Sequence, residues 1–246
     1  MYKIAIPSYK RVDVFASKTL AYLKKTNISL DNVYLFVANE QEKQDYSVLG
    51  LKNIIVGVET IRNQRNYIRH YFQDGEMVFS LDDDIAGIYK AVSVKDLVLV
   101  TELHELILRG FDLSKKIGTK LWGVSAVKNG LFMFNKKPSA DLRYIVGACF
   151  GQIIDHDNFL TQTIDDKGDY ERSILYYIKF GSVLRFNNIA IDTNYYKMKG
   201  GMQITRTKER VKASGLYLLN KFPNHCQVNN IKKNKEFFEI KLKHKK

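Results

Sequence analysis

Two cysteines and three prolines are all that 246 residues hold of either type. Cys149 and Cys226 lie far apart, and no CxxC, HExxH or finger-like spacing occurs. That argues against a disulfide scaffold, a zinc site and thiol redox chemistry. No apolar run approaches the roughly 18–20 residues needed to span a bilayer. The opening MYKIAIPSYK lacks the apolar core of a signal peptide, so a soluble cytoplasmic protein without a membrane partner is expected. Walker, GxGxxG and Ser-His-Asp signatures are missing too. Acids are scarce at one end: from Lys197 to Lys246 only Glu209, Glu236 and Glu239 face 14 Lys/Arg.

What is present fits one globular domain over residues 1–246, with 45% hydrophobic and 26% charged residues. A chain of this length buries roughly 70–75% of its unfolded surface and needs no structural metal to fold. The net charge of +13 is concentrated in a basic C-terminal region, 197–246, because residues 1–196 are nearly balanced. Basic side chains that neutralise phosphates release condensed counterions, so this region points to a polyanionic partner such as nucleic acid. Arg206, Lys208, Arg210 and Lys212 are the candidate DNA-binding residues, and the competing reading is a solubilising surface.

Strands and helices alternate through the first half. Residues 3–7, 33–38, 53–58 and 77–81 are short apolar runs that predict strands buried on both faces. Residues 13–25 and 60–72 have helical spacing, and Thr60 is placed to cap the second of these helices. This alternation predicts an α/β fold, an open and mostly parallel twisted sheet with helices on both faces. Farther on, the pattern predicts a helix over 96–117 with Leu103, Leu106, Ile107 and Phe111 inward, and strands over 121–127 and 144–154. It then predicts a helix over 169–180, a strand over 183–191, a basic helix over 204–221 and a last strand over 236–242. Gly147 and Gly151 suggest close backbone approach.

The sharpest chemical feature is Asp82-Asp83-Asp84, at the end of the fourth predicted strand. Three adjacent carboxylates repel one another unless solvated or sharing a cation, and hard divalent ions take such oxygens and bridge to phosphates. In open α/β sheets ligands bind beyond the carboxyl ends of the strands, where this triplet falls. An acidic loop or helix cap is the competing reading. Pro7-Ser8-Tyr9-Lys10-Arg11 ends the first strand and belongs to the same crevice. Arg62, Arg65 and Arg69 share one helix face and suit phosphates or the acidic triplet. Asp169 and Glu171 open a helix, where either carboxylate suits a general base and spacing does not choose between them. His225 is a candidate third metal ligand or phosphate contact, and His104 reads as structural.

Together the IPSYKR strand end, Gln64-Arg65-Asn66, the DDDI strand end, YIVGACFG at 144–151 and KGDYERSI at 167–174 resemble a known group. They are similar to the TET/JBP-associated glycosyltransferases, GT-A-fold enzymes that include the base J glucosyltransferase and bacteriophage relatives. The resemblance runs to Pro223. It implies a metal-dependent transferase using Mn or Mg, a UDP-sugar donor, and DNA with a hydroxymethylated pyrimidine as acceptor, in the host cytoplasm for a phage-encoded member.

By the same resemblance Asp84 is the metal ligand, with Asp82 assisting it or contacting the ribose. Pro7, Ser8, Tyr9 and Arg11 frame the nucleoside, and Arg65 lies beside the diphosphate or sugar. Gly147 and Gly151 admit the donor sugar or a flipped base, and Asp169 takes the base position with Glu171 beside it. Two other classes share parts of the pattern. A metal-dependent nucleotidyltransferase would share the sheet and aspartates, and a non-catalytic DNA-binding protein would share the charge.

Overall fold

The computed structural model describes residues 1–192, 207–229 and 237–244. The first strand, β1 (Tyr2–Pro7), leads into α1 (Val12–Phe15), whose helical path widens at Ala16–Leu20 and continues as α2 (Ala21–Lys25). Then come β2 (Val33–Val37), α3 (Glu40–Ser47), β3 (Asn53–Val56), α4 (Ile61–Tyr71) and β4 (Met77–Leu81). The Asn39 side chain caps α3, and that of Thr60 caps α4. Both satisfy backbone N–H groups that a helix start leaves free.

The later elements are β5 (Gly87–Ala91), β6 (Leu97–Leu99), α5 (Leu103–Ile117), β7 (Leu121–Ser125), α6 (Gly130–Met133), β8 (Ser139–Asp141) and β9 (Cys149–Ile153). They are followed by α7 (Gly168–Phe180), β10 (Val183–Asp192), α8 (Lys208–Lys221), β11 (Cys226–Val228) and β12 (Ile240–Leu242). Among the described residues ten strands form one sheet in the order β3-β2-β1-β4-β9-β7-β10-β5-β6, with β8 beside β10, while β11 and β12 pair separately. The parallel run β3-β2-β1-β4 is the alternating half that the sequence predicts. β9 then lies antiparallel between β4 and β7, and β10 runs parallel to β7. The expected α/β sheet with helices on both faces is therefore present, and its centre is mixed.

Trp122 occupies the middle of the core. Phe79 stacks on it at 5.4 Å, and Phe111 and Phe186 meet it edge-on. Gly151 is a glycine because of that indole: a Cβ there would lie 1.9 Å from Trp122 Nε1. The expected close approach at Gly151 is therefore to a core side chain, which corrects its assignment to sugar or base.

Several boundaries also differ from expectation. The helix predicted from residue 96 starts at Leu103, because Leu97–Leu99 instead pair with β5 as a hairpin. The four inward residues of that helix are buried as expected. The strand predicted over 144–154 is confined to Cys149–Ile153. Side chains hold much of the preceding backbone, as when Ile145 N–H donates to Ser173 Oγ at 3.0 Å. The last strand is Ile240–Leu242, and α8 is described from Lys208.

Candidate active site at the carboxyl ends of the first and fourth strands

Register places the ends of β1 and β4 side by side, since Ala5 pairs with Ser80. The chain leaving β4 is clasped by Thr19, whose hydroxyl donates to Asp82 O and accepts from Ile85 N–H, both at 2.8 Å. Within that clasp the three aspartates alternate. Asp83 turns inward, accepting from Ser8 Oγ at 2.6 Å and from Arg11 Nη1 at 3.1 Å. Asp82 and Asp84 flank it with 33% and 13% of their side chains exposed, against 7% for Asp83.

Guanidiniums answer this charge. Arg11 Nη1 also lies 3.7 Å from Asp84 Oδ2, and Arg65 Nη2 lies 3.4 Å from Asp82 Oδ1. Burial raises the Asp83 pKa against the pull of Ser8 and Arg11. A third of the Asp82 side chain is open, yet the protein packed around it raises its pKa to about 7, opposed by Arg65 and reinforced by Asp84.

The turn carrying Ser8 and Arg11 is fastened to α3. Buried Glu42 accepts from Lys10 N–H at 2.6 Å and from Ala38 N–H at 2.8 Å. Tyr46 OH accepts from Arg11 N–H at 3.1 Å and shares a 2.6 Å hydrogen bond with Ser8 Oγ. Sequence reasoning misses both supports. The short polar helix that carries them has no apolar periodicity to mark it.

The polar face of α4 points at the other wall. Arg65 Nη2 donates to Gly147 O at 3.1 Å, and a Cβ on Gly147 would lie 2.8 Å from that nitrogen. Asn66 makes a reciprocal pair with the backbone of Gln162 at 2.9 and 3.0 Å. Arg69 holds Asp155 O at 2.6 Å, and Arg62 holds Thr163 O at 3.1 Å. Of the arginine row, Arg65 alone pairs with the acidic triplet. Arg62 and Arg69 brace the 155–165 segment.

Helix α7 supplies the last group. Asp169 sits in its first turn, where the helix dipole favours a carboxylate. The Tyr144 hydroxyl donates to Asp169 Oδ2, and the Tyr170 ring lies 4.4 Å from that of Tyr144. Glu171 is fully buried. It accepts from Thr163 N–H at 2.7 Å and Thr163 Oγ1 at 2.6 Å, and Lys221 Nζ lies 3.5 Å away. Its oxygens are thus committed to the 163–164 turn, whereas Asp169 is half-buried.

One stretch of backbone links the two acidic groups. Tyr144 bonds Asp169, Gly147 O bonds Arg65, and Ala148 O accepts from Asp82 N–H at 3.0 Å. Tyr144 and Arg172 are the residues that sequence reasoning misses here. The aromatic that opens YIVGACFG and a basic residue three past Asp169 on the same helix face were the available signals.

The remaining candidates are placed as follows. Pro7 is buried at the end of β1, and Tyr9 is half-buried with Lys10 Nζ 5.0 Å from its ring centre. Lys208 and Lys212 are exposed on α8, whereas Arg210 folds back onto Asp166 at 3.4 Å and Asp165 at 3.8 Å. Arg206 lies outside the described residues. His225 packs edge-on to Tyr177 and Phe222, and among the described residues no contact joins it to the aspartates. His104 is structural, its Nδ1 3.0 Å from Tyr2 OH.

The donor set suits a hard divalent ion, because Asp82 and Asp84 carry carboxylate oxygens on either side of the inward Asp83. Among the described residues no group of three or more His, Cys, Asp and Glu forms a protein-only cage. Such an ion would complete its shell with phosphate oxygens and water, as Mg²⁺ commonly does. No helix among the described residues is long and apolar enough to cross a membrane.

No family model matches the chain, and no curated protein matches it. Solved structures do. S. aureus TarS 1–349 in complex with UDP-GlcNAc is similar with a TM-score of 0.57 at 12% identity, over 89% of this chain and 66% of that one. The complex of TarS 1–349 with UDP gives 0.53 at 14% identity over the same shares, 89% and 66%. A mycobacterial protein gives 0.55 at 8% identity, over 99% of this chain and 84% of that one. The chain spans 59% of TarS 1–349 in another structure and 40% of the longer TarS chain. Likeness at such identities establishes the fold alone, a GT-A-like, mostly parallel sheet with helices on both faces.

Proposed function

We propose that this protein is a metal-dependent glycosyltransferase that moves a sugar from a UDP-sugar to a hydroxyl acceptor. The observation that carries the reading is the linked pair of acidic groups: Asp82 and Asp84 flanked by Arg65 and Arg11, joined through residues 144–148 to Asp169. It is supported by the fold shared with S. aureus TarS, which was solved with UDP and UDP-GlcNAc.

Asp84 and Asp82 would hold the divalent ion, which supplies positive charge to the leaving diphosphate. Pro7, Ser8, Tyr9 and Arg11 would frame the nucleoside, with Ser8 acting through Asp83. Arg65 would face the diphosphate or sugar, and Gly147 leaves room for its guanidinium. Asp169, oriented by Tyr144, would accept the acceptor's hydroxyl proton. The acceptor oxygen then bonds to the anomeric carbon, the carbon–oxygen bond to the diphosphate breaks, and its electron pair leaves with the nucleoside diphosphate. Glu171 would support this base by holding the 163–164 turn.

For the acceptor we propose a hydroxymethylated pyrimidine in DNA, flipped from the duplex into the pocket, in the cytoplasm of a phage-infected host. Its support is the net charge of +13, the exposed Lys208 and Lys212, and the resemblance to the TET/JBP-associated enzymes. The test is incubation with a panel of UDP-sugars and hydroxymethylated DNA, read as UDP release and as base mass. Release of UDP with one sugar added per modified base is expected. UDP release with unmodified DNA would overturn the acceptor and keep the donor. No UDP release with any sugar would overturn the whole reading.

A further inference from the structure

A second feature lies beneath the candidate site and shares Arg65 with it. Helices α4 and α7, strands β4 and β9 and the 160–162 segment line a small, partly open cavity, with about 20 Å³ of room for the centre of a water-sized sphere. That holds one or two such particles. The guanidiniums of Arg65, Arg69 and Arg172 line it, and no carboxylate does. Arg69 and Arg172 are each 3% exposed. Nε of all three arginines and Nη1 of Arg172 are buried without a hydrogen-bond partner.

Asp169 and Asp82 act on Arg172 electrostatically from beyond ion-pair distance, and Asp155 is committed elsewhere. Asp155, whose backbone Arg69 holds, gives its carboxylate to Lys120 and Lys179, each at 2.9 Å. Asp82 lies 3.4 Å from Arg65 alone. Arg172 has no ion pair among the described residues. Its Nη2 reaches only the carbonyls of Ile145 and Val146, at 3.4 and 3.5 Å, and its guanidinium lies 3.6 Å from the Phe150 ring centre. Burial and then repulsion from Arg65 lower the Arg172 pKa to about 9. Buried charge is costly unless paired and hydrogen-bonded.

We infer that this cavity binds a small monovalent anion of the halide class, held between the guanidiniums of Arg172 and Arg69. Water would satisfy the N–H groups and leave the Arg172 charge without an ion pair. Chloride matches both size and charge.

Two measurements on the whole protein test this. In crystals grown with bromide replacing chloride, an anomalous peak is expected between Arg172 and Arg69. In solution, the melting temperature should be higher in chloride than in gluconate at equal ionic strength. Above the binding range each tenfold rise in chloride should add roughly 3–6 °C. Arg172→Leu should abolish that increment, and Arg172→Lys should keep part of it. An absent bromide peak, or equal melting in the two salts, would overturn the proposal. Should Arg172→Leu fail to fold, the bromide peak in the unaltered protein still decides.

Discussion

Arg65 lies across Gly147 so closely that the glycine's missing side chain is part of the site. The carbonyl of Gly147 accepts from Nη2 at 3.1 Å, and the same nitrogen reaches Asp82 at 3.4 Å. A methyl group at 147 would displace the end of a flexible side chain rather than backbone. Gly147→Ala should therefore change the melting temperature by less than about 2 °C while weakening UDP-sugar binding roughly tenfold. Calorimetric titration with the donor checks this, and unchanged affinity would separate Arg65 from the diphosphate.

Gly151 should behave in the opposite way. Its absent Cβ would meet an indole fixed by Phe79, Phe111 and Phe186. Gly151→Ala should cost about 3 kcal/mol or more and lower the melting temperature by roughly 6–12 °C. Thermal unfolding followed by circular dichroism reads this directly.

The two carboxylates of α7 should divide in the same manner. Asp169→Asn removes a proton acceptor and preserves shape, so kcat should fall at least about 100-fold while donor KM stays within roughly threefold. Glu171→Gln weakens a buried, charge-assisted set of bonds to Thr163 and should instead cost about 3 kcal/mol of stability. Kinetics and melting of both variants distinguish these roles, and a larger kcat loss at Glu171 would reverse them.

Much of this site is legible in the sequence because its landmarks are local. The runs of β1 to β4 are continuous and apolar, so their carboxyl ends, and with them Pro7–Arg11 and Asp82–Asp84, can be placed by counting. The sheet centre is not local. Nothing in CFGQI says that β9 will enter antiparallel between β4 and β7, because that pairing joins distant residues. Leu97–Leu99 merges with the helical spacing that follows, which hides a hairpin inside a predicted helix. Asp169 and Glu171 look alike in sequence because their difference lies in Thr163, a residue brought against Glu171 by the turn before α7.

On α8 the three described basic candidates should also differ. Lys208→Ala with Lys212→Ala should make the salt dependence of DNA affinity shallower by about two units of log–log slope. Arg210→Ala removes a partner of Asp165 and Asp166. It should lower stability more than it changes the salt slope. Filter binding across a salt series tests both, and an unchanged slope in the double variant would make these lysines plain surface.

Both cysteines are buried, and burial raises both thiol pKa values. The native protein should consume almost no thiol reagent between about pH 7 and 9, and the denatured protein should consume two equivalents. Above about pH 9 the unfolded chain releases thiol protons that the folded chain keeps, so stability should decline there. Reagent titration and urea unfolding across that range check the two halves of the statement.

The position of β9 also governs how the chain reaches its shape. On a ribosome, β1 to β4 emerge first and can pair among themselves, leaving one side of β4 as an open sheet edge. That edge stays unsatisfied until residues 149–153 have been made, a wait of seconds at about 5–20 residues per second. An exposed edge of buried-type sequence invites pairing with other chains. The strand that closes the edge of β4 is therefore also one whose late arrival leaves the nascent protein open to aggregation.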